Sequence, residues 1–208
     1  DPLPGAGRPP VTIGDKNFTE QFVLGELYMQ ALQAQGFDVS LNRNIGPTEV
    51  SIQAVTNGNL SMYPEYLDVW NESVAGYRRV FASPRRAYGE AERYARAHGL
   101  ELLTPTPFSD TEAIAVTRAY ADANQLRTLE DLRRVAPTMT LGAPLQFQQS
   151  PTGLSAIEQV YGFTPAALKS LDIGAQYQAL DQGAVQGAYT TTTDSHLTSR
   201  GYRLLGDP

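Results

Sequence analysis

From Val11 onward, short strands and helices alternate along this chain, and that alternation restricts the fold more than any other feature. Val11-Thr12-Ile13 is a β-branched run that stops at Gly14. Asn17-Phe18-Thr19-Glu20 fits a capping box, with Asn17 as N-cap and Glu20 three residues on. Behind it Phe22, Val23, Leu27, Met29, Ala31 and Leu32 recur at helical spacing until Gly36. Residues 39–41 suggest a second strand, 49–56 a helix ending at Asn57-Gly58, and 60–63 a third strand. A strand–helix–strand–helix–strand order predicts a mainly parallel sheet with flanking helices.

The same grammar continues. Ser83-Pro84 places an N-cap serine before a proline at the first helical position, and that helix runs to His98-Gly99. Residues 100–103 and 113–117 suggest strands, separated by Thr104-Pro105-Thr106-Pro107-Phe108-Ser109-Asp110, a natural crossover between two lobes. A further α/β set follows: a helix capped by Thr128, a strand at 139–141, a helix at 154–161 and a strand at 184–189. The expected organisation is a disordered tether over 1–10, a first lobe over 11–106 and a second over 107–191. Residues 192–208 are expected to cross back towards the first lobe. The Pro/Gly-rich tether suits a mature exported protein or a trimmed lipoprotein.

Several chemistries have no residues to use. The 208 residues contain no cysteine, which removes disulfides, thiolate catalysis and Cys-based metal sites. Net charge is −6 and the basic residues are scattered, which argues against nucleic acid. The pairs Arg78-Arg79, Arg85-Arg86 and Arg133-Arg134 fall in helix-like segments and read as solvated faces. His98 falls at a helix end, where the dipole favours it. His196 has Ser195 and Asp194 as chain neighbours, and adjacent residues seldom converge as a triad. No phosphate loop, dinucleotide fingerprint or nucleophile elbow is present, so neither an enzyme nor a cofactor is expected.

The aromatic residues carry more. Tyr63-Pro64-Glu65-Tyr66 follows directly on an expected strand, at the carboxyl edge where open α/β sheets bind ligands. Trp70 comes four residues later, and Tyr189 ends an expected strand of the second lobe. Aromatic faces from two lobes form a cage for an organic cation, each desolvated contact contributing about 0.5–2 kcal/mol.

Gly14-Asp15-Lys16-Asn17-Phe18-Thr19-Glu20-Gln21, then Leu24-Gly25-Glu26-Leu27-Tyr28 and Met62-Tyr63-Pro64-Glu65-Tyr66, resemble the glycine betaine/choline/carnitine-binding proteins of osmoprotectant ABC transporters. Leu129-Glu130-Asp131-Leu132, Tyr161-Gly162 and Tyr189…Thr193-Asp194 match in the same order, so the resemblance spans nearly the whole chain. It implies a two-lobed type II periplasmic-binding fold with the ligand in the inter-lobe cleft, and a solute-binding subunit outside the cytoplasmic membrane. That subunit would be a monomer that captures choline, glycine betaine or a similar quaternary amine and serves a permease, touching the membrane only through an N-terminal lipid anchor, if any. A ligand-sensing domain of a regulator or receptor on the same fold is the alternative. The resemblance implies a ligand-binding set of Lys16, Tyr66 and Tyr189, with Asn17, Phe18 and Thr19 offering backbone N–H groups to a carboxylate. Asp110, Thr111 and Glu112 at the hinge and Thr191 beside Tyr189 complete it. Glu112 stands where many members have an aromatic, Ser150 where an arginine often grips a betaine carboxylate, and the threonine run before Asp194 is two residues longer. The first two changes favour a cation without a carboxylate. The family also continues beyond the segment matching Tyr202-Arg203-Leu204-Leu205, so the C-terminal part of its fold is expected to be missing here.

Overall fold

The computed structural model describes residues 2–150 and 153–206. It divides into two compact units, Asp1–Thr104 and Pro105–Pro208.

The first unit is organised by a parallel pair, β1 (Val11–Gly14) and β2 (Val39–Asn42), in register from Val11↔Val39 to Gly14↔Asn42. The helix between them, α1 (Thr19–Ala34), is the crossover a parallel pair requires. It approaches closely at Gly25, where a Cβ would lie 2.9 Å from the Asp15 carboxylate and 3.0 Å from Leu41. Helix α2 (Thr48–Thr56) leads to the segment expected as a third strand, which makes only a single parallel bridge, Ile13↔Met62. Pro64 two residues later has no N–H to extend a ladder. A short helix, α3 (Leu67–Val69), widens into a π-helical turn over Trp70–Val74, closed by Ala75 N–H donating to Trp70 C=O at 2.9 Å. Helix α4 (Pro84–Ala97) starts as expected, the Ser83 hydroxyl accepting from Arg86 N–H at 3.3 Å, and stops at Gly99 with φ +71°. Trp70, Ala91 and Ala95 form the core beneath it, with Tyr94, Leu100 and Leu102 packed alongside. Leu100 and Leu102 therefore cover a helix, and residues 100–103 are not a strand.

The leader departs from the tether expectation within its described residues. Gly5 is buried and its N–H donates to Gln35 C=O at 2.8 Å, while Ala6 and Arg8 N–H groups close turns onto Leu3 and Gly5. Only a residue without a side chain fits there, because a Cβ would collide with the Phe37 backbone. Leu3 lies against Gly36. Proline and glycine in this leader make a fitted turn.

The second unit holds a five-stranded mixed sheet in the order β5-β4-β6-β3-β7. Its strands are β3 (Glu112–Thr117), β4 (Thr140–Ala143), β5 (Ala167–Ser170), β6 (Gly187–Thr191) and β7 (Tyr202–Leu204). β4 pairs in parallel with β5 and β6, and β3 runs antiparallel to β6 and β7. Helices α5 (Arg118–Asn124), α6 (Leu145–Gln149), α7 (Leu154–Tyr161) and α8 (Gln176–Asp181) flank it. Ile114, Val116, Leu126, Leu132, Met139, Leu141 and Phe147 are all buried in its main core. A 3₁₀ turn at Leu129–Arg134 begins at Thr128, and the Asp131 carboxylate accepts N–H bonds from Arg127 (2.8 Å) and Thr128 (3.0 Å). Those bonds stabilise the charged form and hold Asp131 below the usual carboxylate range.

Residues 192–208 are expected to cross back towards the first lobe; their described strand, β7, joins the sheet of the second unit. β7 adds to the free edge of β3, pairing Ala115↔Leu204 and Thr117↔Tyr202, and Gly206 bridges to Thr128. An available antiparallel edge captures the nearest extended segment, here within the second unit. Asp207 and Pro208 lie outside the described residues.

Candidate functional site

The loops after β1 and around residues 63–66 are clipped together by one buried side chain. Gln21, fully buried in the first turns of α1, accepts from the Lys16 N–H at 3.0 Å and donates to Pro64 C=O at 3.2 Å. That clip places Lys16, Phe18, Glu65 and Tyr66 in one corner, at the carboxyl end of β1. Lys16, expected in the loop near a ligand, does lie on the loop after β1 and is 3% exposed. Its ammonium forms an ion pair with Glu65 and donates to Thr48 Oγ1 at 3.1 Å. The same ammonium stands 5.0 Å from the Tyr66 ring centroid and 5.6 Å from that of Phe18. The two rings are 5.9 Å apart and tilted by 30°.

Glu65 collects three donors: Lys16 Nζ, Thr48 Oγ1 at 3.1 Å and the Tyr66 N–H at 2.9 Å. The Tyr66 hydroxyl donates to Glu20 Oε1 at 2.6 Å. The Tyr63 hydroxyl is buried beside Glu65, and burial together with that carboxylate pushes its pKa up. Tyr63 therefore stays a neutral phenol. A cation held by a carboxylate, a hydroxyl and two ring faces is a compact cation-binding corner, each desolvated ring contact contributing about 0.5–2 kcal/mol.

The neighbouring loop residues behave differently from the expectation. Asn17 is exposed and does not cap α1; Phe18 holds the N-cap position without a side-chain bond. Glu20, expected as the capping-box partner, faces Tyr66 instead. Thr19 is exposed at the first helical position. Trp70 is not a rim residue either: it is 4% exposed and packs edge-on against Tyr94, with centroids 6.3 Å apart.

In the second unit, Glu112 and Thr191 are register partners at the ends of β3 and β6. One step beyond, Thr111 and Thr192 continue the ladder: Thr192 N–H donates to Thr111 C=O at 2.9 Å, and Thr111 N–H to Thr192 Oγ1 at 3.0 Å. The first of the additional threonines thus extends the pairing. Asp110 is half-buried just before this ladder, and Ser150 is half-buried at the end of α6. Tyr189, expected at a strand end, lies inside β6 opposite Ile114 and rests on Phe147 with centroids 4.8 Å apart, against the unit's core. β6 runs two residues further than its apolar pattern suggests.

Both histidines have structural settings. His98 stacks on Tyr94 at 3.9 Å, and His196 stacks on Tyr177 at 4.2 Å beside Asp194 at 3.0 Å. No group of residues suited to a metal ion exists among the described residues. Glu65, Thr48 and Gln21 carry the geometry of the corner and were not among the expected site residues. Glu65 and Gln21 stood within the family-like motifs, whereas Thr48 gave no signal a single sequence can show.

Two α/β units, the first built on a parallel pair and the second on a five-stranded mixed sheet, make a type II periplasmic-binding fold. The glycine betaine/carnitine/choline ABC transporter structure agrees in fold, with a TM-score of 0.77 over 96% of this chain and 74% of that one, at 19% identity. Residues 9–208 match the substrate binding domain of the ABC-type glycine betaine transport system, and the chain belongs to that family. It is 30% identical to glycine betaine-binding protein YehZ of Escherichia coli, over 99% of this chain and 72% of that protein. A glycine-betaine-binding protein of Pseudomonas aeruginosa is 31% identical over 94% of this chain and 66% of its own length. The structure of apo YehZ superposes with a TM-score of 0.70 over 96% of this chain and 75% of that one. The family is one of transport binding proteins, not enzymes.

Proposed function

We propose that this chain is the solute-capturing subunit of an ABC importer and that its solute carries a quaternary ammonium group. The observation that supports this reading is the pair of Phe18 and Tyr66 rings gathered at one corner, where the Lys16 ammonium already rests 5.6 Å and 5.0 Å from their centroids. Glu65 neutralises Lys16 at close range. Glu20, bonded to the Tyr66 hydroxyl, keeps negative charge at the ring edge. The corner therefore suits positive charge in the solute. Glu112 on β3, and Ser150 in place of an arginine, add to a preference for cations that lack a carboxylate. Binding proteins of ABC importers work outside the cytoplasmic membrane, and the partner is the importer's permease.

Calorimetry with choline, glycine betaine and tetramethylammonium tests the reading. Tyr66→Ala should weaken binding about fivefold to thirtyfold, the equivalent of about 1–2 kcal/mol for a lost ring face. Tyr66→Phe keeps the face and should retain most of the affinity. If none of the three solutes binds, or if Phe is as damaging as Ala, the corner is not a cation seat.

A further inference from the structure

A positive locus lies outside this corner, on the segment that runs from the π-helical turn into the first turn of α4. Arg78, Arg79, Arg85 and Arg86 fall within nine residues, and no acidic residue occurs from Ser73 to Gly89. The chain as a whole is acidic, so this patch is a local reversal of sign. Arg79 is held in place: its guanidinium lies 4.9 Å from the Phe81 ring centroid and 5.5 Å from that of Tyr77, and those rings meet edge-on at 5.6 Å. Its only ion pair among the described residues is a long one, 3.9 Å to Glu90. Arg78, Arg85 and Arg86 are exposed and have no ion pair among the described residues. Between the arginine pairs Val80 is 67% exposed.

The placement works against local stability. Arg85 and Arg86 stand in the first turn of α4, where the helix dipole disfavours positive charge and no acidic residue compensates. Residues that break a local rule point to function. We propose that this arginine and valine patch docks the protein on an anionic lipid surface. Unpaired guanidinium groups meet lipid phosphates, and Val80 with the Tyr77–Phe81 pair supplies the apolar contact at the headgroup boundary. An acidic protein face would also satisfy the arginines and bury the valine, but it predicts no phosphatidylglycerol-dependent retention on vesicles, which the test reads.

The test is cosedimentation of the full chain with phosphatidylglycerol/phosphatidylcholine vesicles against vesicles of phosphatidylcholine alone, at low and high salt. Retention should require phosphatidylglycerol and fall with salt. Each arginine contributes about a fivefold increase in partition, so Arg78→Gln/Arg85→Gln should lose about 25-fold. Arg93→Gln/Arg96→Gln removes the same charge from arginines already paired with Glu90 and Glu92, and should change partition little. Fluorescence of buried Trp70 verifies that each variant is folded. Equal retention on both vesicles, no retention on either, or equal losses in the two double variants would overturn the proposal.

Discussion

Replacing Lys16 by methionine removes an ammonium that is 4% exposed in its side chain and leaves the Glu65 carboxylate, 8% exposed, with neutral neighbours, among them Thr48, the Tyr66 N–H and the Tyr63 hydroxyl. Breaking a buried pair at one end costs about 3–5 kcal/mol, because the surviving charge is stranded in a low-dielectric site. Glu65→Gln strands the ammonium instead and should cost about 3 kcal/mol; the two ring faces recover part of its solvation. The double variant strands neither charge. Its cost should be close to that of one single variant, giving a coupling energy near 3 kcal/mol. Urea unfolding followed by fluorescence reads this cleanly, since the chain has a single tryptophan and Trp70 sits in the core of the first unit. With a slope of about 1–1.5 kcal/mol per molar urea for a unit of this size, Glu65→Gln should lower the midpoint by about 2–3 M and the Lys16 variant by about 2–5 M. If each single variant costs under about 1 kcal/mol and the two add, the pair is water-screened and the corner is not the desolvated site described above.

Gly25→Ala should destabilise the same transition by about 1–3 kcal/mol despite alanine's better helix propensity, because the new methyl meets the Asp15 carboxylate and Leu41; a gain would show that α1 can shift outward. Asp131 is held below its ordinary pKa, so its contribution is present above the unfolded carboxylate pKa and is lost as pH falls through the folded value. Asp131→Asn should therefore lower the melting temperature of the second unit at neutral pH and flatten its fall in acid, as seen by calorimetry across pH. Choline should outbind glycine betaine in competition, and Glu112→Gln should narrow the ratio; an unchanged ratio would remove Glu112 from ligand selection.

Local chemistry was enough to place what local chemistry controls. Ser83-Pro84 starts α4, Gly99 stops it, α7 spans Leu154–Tyr161 as its periodicity indicates, β1 falls on its β-branched run and β2 on the strand expected at 39–41. The family motifs led to Lys16, Phe18 and Tyr66, which do share one corner. Elements without a periodic signal escaped notice: β5 is exposed at all four residues, and β7 exists because β3 offers it an edge. Tertiary structure also decided what the site residues do. Glu20 could cap a helix or meet Tyr66, and in the fold it accepts from the Tyr66 hydroxyl, 46 positions away. Lys16 is a loop residue in the sequence reading; that Glu65 and Thr48, 49 and 32 positions away, draw its charge inside is decided by the fold. Sequence fixes the residue types that can pair; only the folded chain supplies the low-dielectric surroundings in which a distant carboxylate outcompetes water for an ammonium.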